Sequence, residues 1–245
     1  MRSVILCEGS TDFILLQHYM RKVNGWEYKS NKPIRINDVK VRVCELVKGD
    51  DKLSIIGCGG CSRIIETLDY VLDLNSVSAP GECIDNIVII TDRDEVSTEV
   101  EFSNNIEEKM NTYVVKSQDI MLSNNMWKNY IYQNGYGDEQ QVKLLLLVIP
   151  FEDTGAMETF LLNAIANNDE YDAKIISKCN SFVDCVDEQK RYLNKRRYVT
   201  KAKFDVYFSI RTSAEQFNER RNILKSVPWE NYTFIQSSFA KLGEL

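Results

Sequence analysis

The sequence has little histidine, little proline and no long apolar run. A single histidine, His18, serves the whole 245-residue chain, which argues against chemistry that pairs a histidine base with histidine metal ligands. The longest uninterrupted apolar run, Leu144 to Ile149, is far short of the roughly 18–20 residues a helix needs to cross a bilayer. The opening SVILC run is also too short for a signal peptide and lacks a small-residue cleavage site. The expected setting is therefore the cytoplasm, with no membrane partner. Eleven glycines, four prolines and 10% aromatic residues are the composition of a packed globular chain rather than a disordered one. Cysteines number seven, at 7, 44, 58, 61, 83, 179 and 185, an odd count that reads as buried filler in a reduced compartment. Cys58 and Cys61 have CxxC spacing, but no second CxxC or histidine pair follows to complete a zinc site.

Charge is present but unevenly placed. The net charge is −6. Residues 186–225 carry eleven Lys/Arg against five Asp/Glu, which leaves −12 on the rest of the chain. An acidic body with a basic C-terminal third suits a cation site that handles a polyanion, although a solvated helical surface would read the same way.

The hydrophobic pattern alternates between strand and helix. Buried strands are expected at 3–7, 53–57, 86–91 and 142–149, and a half-exposed strand at 39–46. A helix capped by Ser10 or Thr11 runs to about Val23, with Phe13, Leu16, Met20 and Val23 on one face. Further helices are expected at 62–74, 97–111 and 156–166, with a short strand at 113–115. Residues 117–141 read as a polar insertion at the sheet edge. Residues 170–225 read as mainly helical, and a short terminal helix closes the chain. This order implies an α/β fold: a mostly parallel sheet with helices on both faces, occupying residues 1–165, with a basic, mainly helical extension over 166–245 packed on it.

In such sheets, sites lie beyond the carboxyl ends of the strands, and here those ends are acidic. The first strand leads into Glu8 and Asp12, with Gly9 expected to allow a tight turn. The 86–91 strand leads into Asp92, Asp94 and Glu95. The 142–149 strand leads into Glu152 and Asp153, with Glu158 on the helix that follows. Each acid alone could be a cap or a turn former. Together, convergent carboxylates repel unless a cation offsets them, and hard oxygen ligands favour Mg²⁺ or Mn²⁺.

The segments CEGSTD, IIGCGG and IVIITDRDE, in that order and strand context, resemble the Toprim domain of topoisomerases, bacterial primases, ribosomal-RNA maturases and OLD (overcoming lysogenization defect) nucleases. The segments LLVIPFEDTGAMETFLL, YVTKAKFDVYFS and VPWENYTFIQSSFAKLGEL extend the likeness to a small stand-alone bacterial Toprim-like family of unassigned function. The resemblance implies that Glu8 acts as general acid or base, or as a metal ligand. It further implies that Asp92 and Asp94 form the metal-binding Asp-x-Asp, that Asp12 and Glu158 are additional metal acids, and that Lys201 or Lys203 matches the lysine of the nuclease members. No GxxxxGK[ST] occurs, so the ATPase half of an OLD protein is missing from the chain and a separate ATPase becomes a candidate partner. Nor is there a topoisomerase tyrosine domain or a primase zinc domain.

The expected function is metal-dependent phosphodiester chemistry on DNA or RNA, as a Toprim-type endonuclease. Lys195, Arg196, Arg197 and Lys203 are expected to track the phosphates, and Tyr192, Tyr198, Tyr207 and Phe208 either stack on bases or pack the helices. Two alternatives stand beside it. One is a non-catalytic nucleic-acid-binding or ATPase-regulating subunit with a degenerate site. The other is a hydrolase of small nucleotidyl phosphates. His18, Trp26, Trp127 and Trp229 read as packing residues.

Overall fold

The computed structural model describes residues 1–117, 120–212, 224 and 227–245. The end of the expected 170–225 helical region, with Arg220, Arg221 and Lys225, lies outside the described residues.

The order of elements is β1 (Arg2–Cys7), α1 (Ser10–Lys22), β2 (Glu27–Asn31), β3 (Ile34–Ile36), β4 (Val39–Lys48), β5 (Asp51–Gly57), α2 (Cys61–Val77), β6 (Asn86–Asp92), α3 (Thr98–Asn111), β7 (Val114–Ser117), β8 (Trp127–Gln133), β9 (Glu139–Ile149), α4 (Met157–Asn168), α5 (Glu170–Val186), α6 (Arg196–Arg211) and α7 (Thr233–Ser238). The strands form one sheet in the order β2-β4-β5-β1-β6-β9-β8-β7, with β3 also paired to β4. The central strands β5, β1, β6 and β9 run parallel, and the flanks on both sides are antiparallel.

The parallel centre follows from composition. β1, β6 and β9 are buried on both faces, which is why they read as continuous aliphatic runs instead of alternating ones. One face packs against α1, α4, α5 and α6, joined by Trp229, Phe239 and Leu242 near the C-terminus. The other face packs against α2 and α3. The C-terminal helices share one continuous core with the sheet, because Phe204, Tyr207 and Phe208 of α6 lie in the same cluster as Leu16 and Phe160. No helix among the described residues is long and apolar enough to cross a membrane.

The antiparallel flanks hold strands the sequence pattern did not announce. β2 and β3 are short and largely exposed. The expected polar insertion at 117–141 contains β8, hydrogen-bonded to β9 along its length. Its inward face carries Lys128, Tyr130 and Tyr132. Lys128 is tolerated there because its Nζ lies 2.6 Å from Glu107 Oε1, which also accepts from Tyr130 Oη at 3.0 Å. A buried lysine with a bonded partner is compatible with a strand, but it hides the strand from a hydrophobicity pattern.

Candidate functional site

Strand register places the acids. Cys7 stands opposite Gly57 on one side and Ile90 on the other, and Asp92 opposite Ile149. The residues just past β1, β5, β6 and β9 therefore emerge at one edge of the sheet. There, Glu8, Asp12, Asp92, Asp94 and Glu158 line one cleft of about 510 Å³. Glu152 and Asp153 are exposed and do not line it.

Each carboxylate is held by its own local donor. Glu8 Oε2 accepts from Thr91 Oγ1 at 3.0 Å and from the Asp92 N–H at 3.5 Å. Asp12 Oδ2 accepts from the Gly9 N–H at 2.6 Å. Asp92 Oδ1 accepts from the Met157 N–H at the start of α4, 2.9 Å away, where the helix dipole also favours a negative charge. Thr11 Oγ1 donates to Glu158 Oε1 at 2.9 Å. The start of α1 therefore differs from the expected side-chain cap: Gly9 occupies the cap position, and Thr11 faces the cleft acid. Gly9 has an ordinary extended φ of −110°. Its lack of a side chain matters because a Cβ there would stand 3.3 Å from Asp12 Oδ2. Two glycines that line the cleft, Gly59 and Gly60, have positive φ, 87° and 141°. Their N–H groups both donate to the Glu8 carbonyl, at 2.9 and 3.2 Å, and so tie the loop after β5 to the loop after β1.

The residue between the two aspartates orients both. Arg93 is only 7% exposed. Its Nε donates to the Pro150 carbonyl at 2.8 Å, its Nη2 to Glu99 Oε2 at 2.9 Å, and its backbone N–H to the Ile149 carbonyl at 2.6 Å. With Arg93 anchored inward, alternation along the chain turns Asp92 and Asp94 toward the cleft. Sequence reasoning missed Arg93. The signal available was a basic residue inside an acidic motif directly after a buried strand.

Burial and mutual repulsion raise the carboxyl pKa values. Asp12 is pushed from 3.8 up to about 7, first by burial and then by Glu158 and Glu8, against the pull of the Gly9 N–H. Asp92 is raised well above the carboxylate range by burial, Asp12, Glu8 and Glu158. Glu8 is raised chiefly by burial, while its bonds from Thr91 and Asp92 lower it. Buried acids that raise one another's pKa form a donor set short of positive charge, and their oxygens suit a hard divalent cation. Among the described residues, no three His, Cys, Asp or Glu side chains already form a cation-holding group. The carboxylates are turned instead onto the local donors named above.

Four basic side chains line the same cleft: Arg42 of β4 and Arg196, Arg197 and Lys201 of α6. Arg196 is seated on the Asp-x-Asp motif. Its Nη2 pairs with Asp94 Oδ1 at 3.0 Å and reaches the Arg93 carbonyl at 3.4 Å, and its Nη1 donates to the Asp94 carbonyl. The remaining expected contacts fall elsewhere. Lys203 pairs with Asp184 of α5 at 2.8 Å, and Lys195 stands at the residue before α6, its side chain forming no cap bond and its Nζ lying 5.9 Å from the Tyr198 ring; neither lines the cleft. Tyr207 and Phe208 are core residues, whereas Tyr192 and Tyr198 are exposed. Guanidinium groups of Arg191 and Arg197 lie over those two rings, at 5.3 and 5.0 Å. Arg42 escaped the sequence reading because it comes from a strand far from either acidic motif.

The profile of a family described as "Protein of unknown function (DUF3226)" matches residues 2–232. No curated protein matches the chain. Among solved structures, the hypothetical protein PH0156 from Pyrococcus horikoshii OT3 is similar at a TM-score of 0.50 and 16% identity, covering 97% of this chain and 99% of that one. This likeness indicates a shared fold. A glyoxalase family protein from Enterococcus faecalis aligns at a TM-score of 0.20 and 10% identity, over 58% of this chain and 91% of that one, too weakly to carry an argument.

Proposed function

The chain belongs to the DUF3226 family, and we propose that its cleft carries out Mg²⁺- or Mn²⁺-dependent phosphodiester hydrolysis on nucleic acid, as a Toprim-type endonuclease. One observation carries this reading: carboxylates from three separate strand ends share a cleft with three arginines and a lysine. Acids and fixed cations in one cleft suit a phosphate held between a metal site and positive charge.

In this reading Glu8, Asp12, Asp92, Asp94 and Glu158 are the residues that would hold the ion, which would supply Lewis acidity and positive charge at the phosphate. The chain's own groups do the rest. Arg196, Arg197 and Arg42 hold the phosphate oxygens. Glu8, whose carboxyl burial holds above its ordinary pKa, would take the proton of the attacking water. Lys201 offers its ammonium to the leaving oxygen. A cytoplasmic setting accords with seven free thiols, and a separate ATPase remains the proposed protein partner.

The seating of Arg196 on Asp94 favours a second reading, in which a built-in cation replaces the metal and the protein binds nucleic acid or an ATPase without cleaving. Cleavage of DNA and RNA with Mn²⁺ or Mg²⁺, and in EDTA, separates the two. On the nuclease reading, Glu8→Gln and Asp92→Asn each lower the rate by at least ~10²-fold while binding persists. Arg196→Glu with Arg197→Glu weakens binding and flattens its salt dependence. Metal-independent binding with no cleavage, even with the native partner co-purified, refutes the nuclease and leaves the binding subunit.

A further inference from the structure

A second hollow adjoins the acidic cleft. Asp92 and Asp94 line both the cleft and a neighbouring cavity of about 330 Å³. The loop after β5 is shared in the same way: Gly59 and Gly60 face the cleft, whereas Cys61 and Ser62, which open α2, face the hollow. Ile65 of α2 and Phe102 of α3 supply its apolar surface, and both belong to the hydrophobic cluster behind the sheet. Ser62, Thr98 and Asn105 supply polar edges.

The two cavities differ in charge balance. The cleft sets four Arg/Lys side chains beside its five carboxylates. The hollow has Asp92, Asp94, Glu95 and Glu101 and no Lys or Arg among the described residues that line it. Asp94 is paired to Arg196, but a phosphodiester backbone entering the hollow would still be repelled by the exposed carboxylates of Glu95 and Glu101. A neutral, flat group would not: it could cover the half-buried Ile65, beside the buried Phe102, and donate N–H groups to the carboxylates. The hollow is of small-ligand size and begins at the two aspartates that border the phosphate cleft.

We propose that this hollow holds the nucleobase beside the reacting phosphate, and that it favours bases with an exocyclic amino group (adenine, guanine, cytosine) over uracil or thymine. The inference rests on the nucleic-acid reading of the cleft. The preference follows from the lining: carboxylates accept hydrogen bonds, an amino group donates two, and the 4-carbonyl of uracil or thymine donates none.

The test uses free nucleosides, which carry no phosphate and require no metal. Adenosine, guanosine, cytidine and uridine are titrated into the full-length protein in EDTA and followed by NMR chemical shifts. The amino-bearing nucleosides should bind at least ~5-fold more tightly than uridine. Ser62→Tyr and Asn105→Tyr, both at exposed positions, fill the hollow and should each weaken that binding at least ~10-fold. The melting curves of both variants check that they remain folded. Equal affinity for uridine, no nucleoside binding to the wild-type protein, or binding that survives both substitutions overturns the proposal. So does an arginine-containing peptide that displaces the nucleosides and binds the hollow in preference to them. Nucleoside binding that obeys these rules in a protein that cleaves nothing upholds the hollow's assignment and refutes only the nuclease.

Discussion

Asp12 provides a direct test of the electrostatics of the cleft. Its carboxyl is buried and its pKa is pushed from 3.8 to about 7, so the folded chain keeps a proton that the unfolded chain has released. Stability from this group is complete below about pH 4, falls as the pH rises, and is lost above about pH 7. At about 1.4 kcal/mol per tenfold change in proton affinity, the displacement caps the loss at about 4 kcal/mol. The drop belongs to the group of carboxylates that titrate together rather than to Asp12 alone. Asp12→Asn removes the charge but keeps an oxygen for the Gly9 N–H, now bonded at 2.6 Å. In EDTA at pH 8 the variant should be more stable than the wild type by about 2 kcal/mol, or roughly 4–8 °C in Tm. At pH 4 the two should nearly coincide. Added Mg²⁺ or Mn²⁺ should reverse the order at pH 8, because the ion stabilises the charged set by binding the folded state. Thermal and urea melts from pH 4 to 8, with and without metal, measure all of this. A variant less stable than the wild type at pH 8 in EDTA, with the pH dependence unchanged, would refute the reasoning and make Asp12 a plain helix-cap acceptor.

Two further outcomes follow from named contacts. Arg93→Met should cost about 3 kcal/mol in urea unfolding, since it strips the Pro150 carbonyl and Glu99 of their buried partner; a loss below about 1 kcal/mol would show that Arg93 does not anchor the motif. Thr91→Val removes the hydroxyl that bonds Glu8 at 3.0 Å, a bond that lowers the Glu8 pKa, so the acidic limb of the pH–rate profile should move to higher pH while the melting temperature changes little. An unmoved or downward-shifted limb would remove Glu8 from the proton-transfer role.

The sequence by itself determined the central fold and the acids that could matter. Aliphatic runs buried on both faces, such as Asn86–Asp92, leave little choice but interior parallel strands, and Glu8, Asp92 and Asp94 are fixed to their ends by chain continuity alone. Helix periodicity placed α1 and α4, and with them Asp12 and Glu158. What a linear pattern could not supply was which charges meet. Glu152 and Asp153 follow closely on the end of β9, yet the turn leaves them exposed and outside the cleft while Glu158, a few residues further along, is buried against Thr11. The basic segment offered Lys195, Arg196, Arg197, Lys201 and Lys203 alike. Helix α6 brings three of them to the cleft: Arg196, Arg197 and Lys201 share a helix face with Phe204, Tyr207 and Phe208, and where the later turns of that face enter the core, its first turns meet the cleft, while Lys203 pairs with Asp184. Arg42 and β8 were hidden for a related reason. A charged residue declares its solvation in the sequence but not its partner, and the partner, whether the acidic cleft or Glu107, is supplied only when distant segments pack.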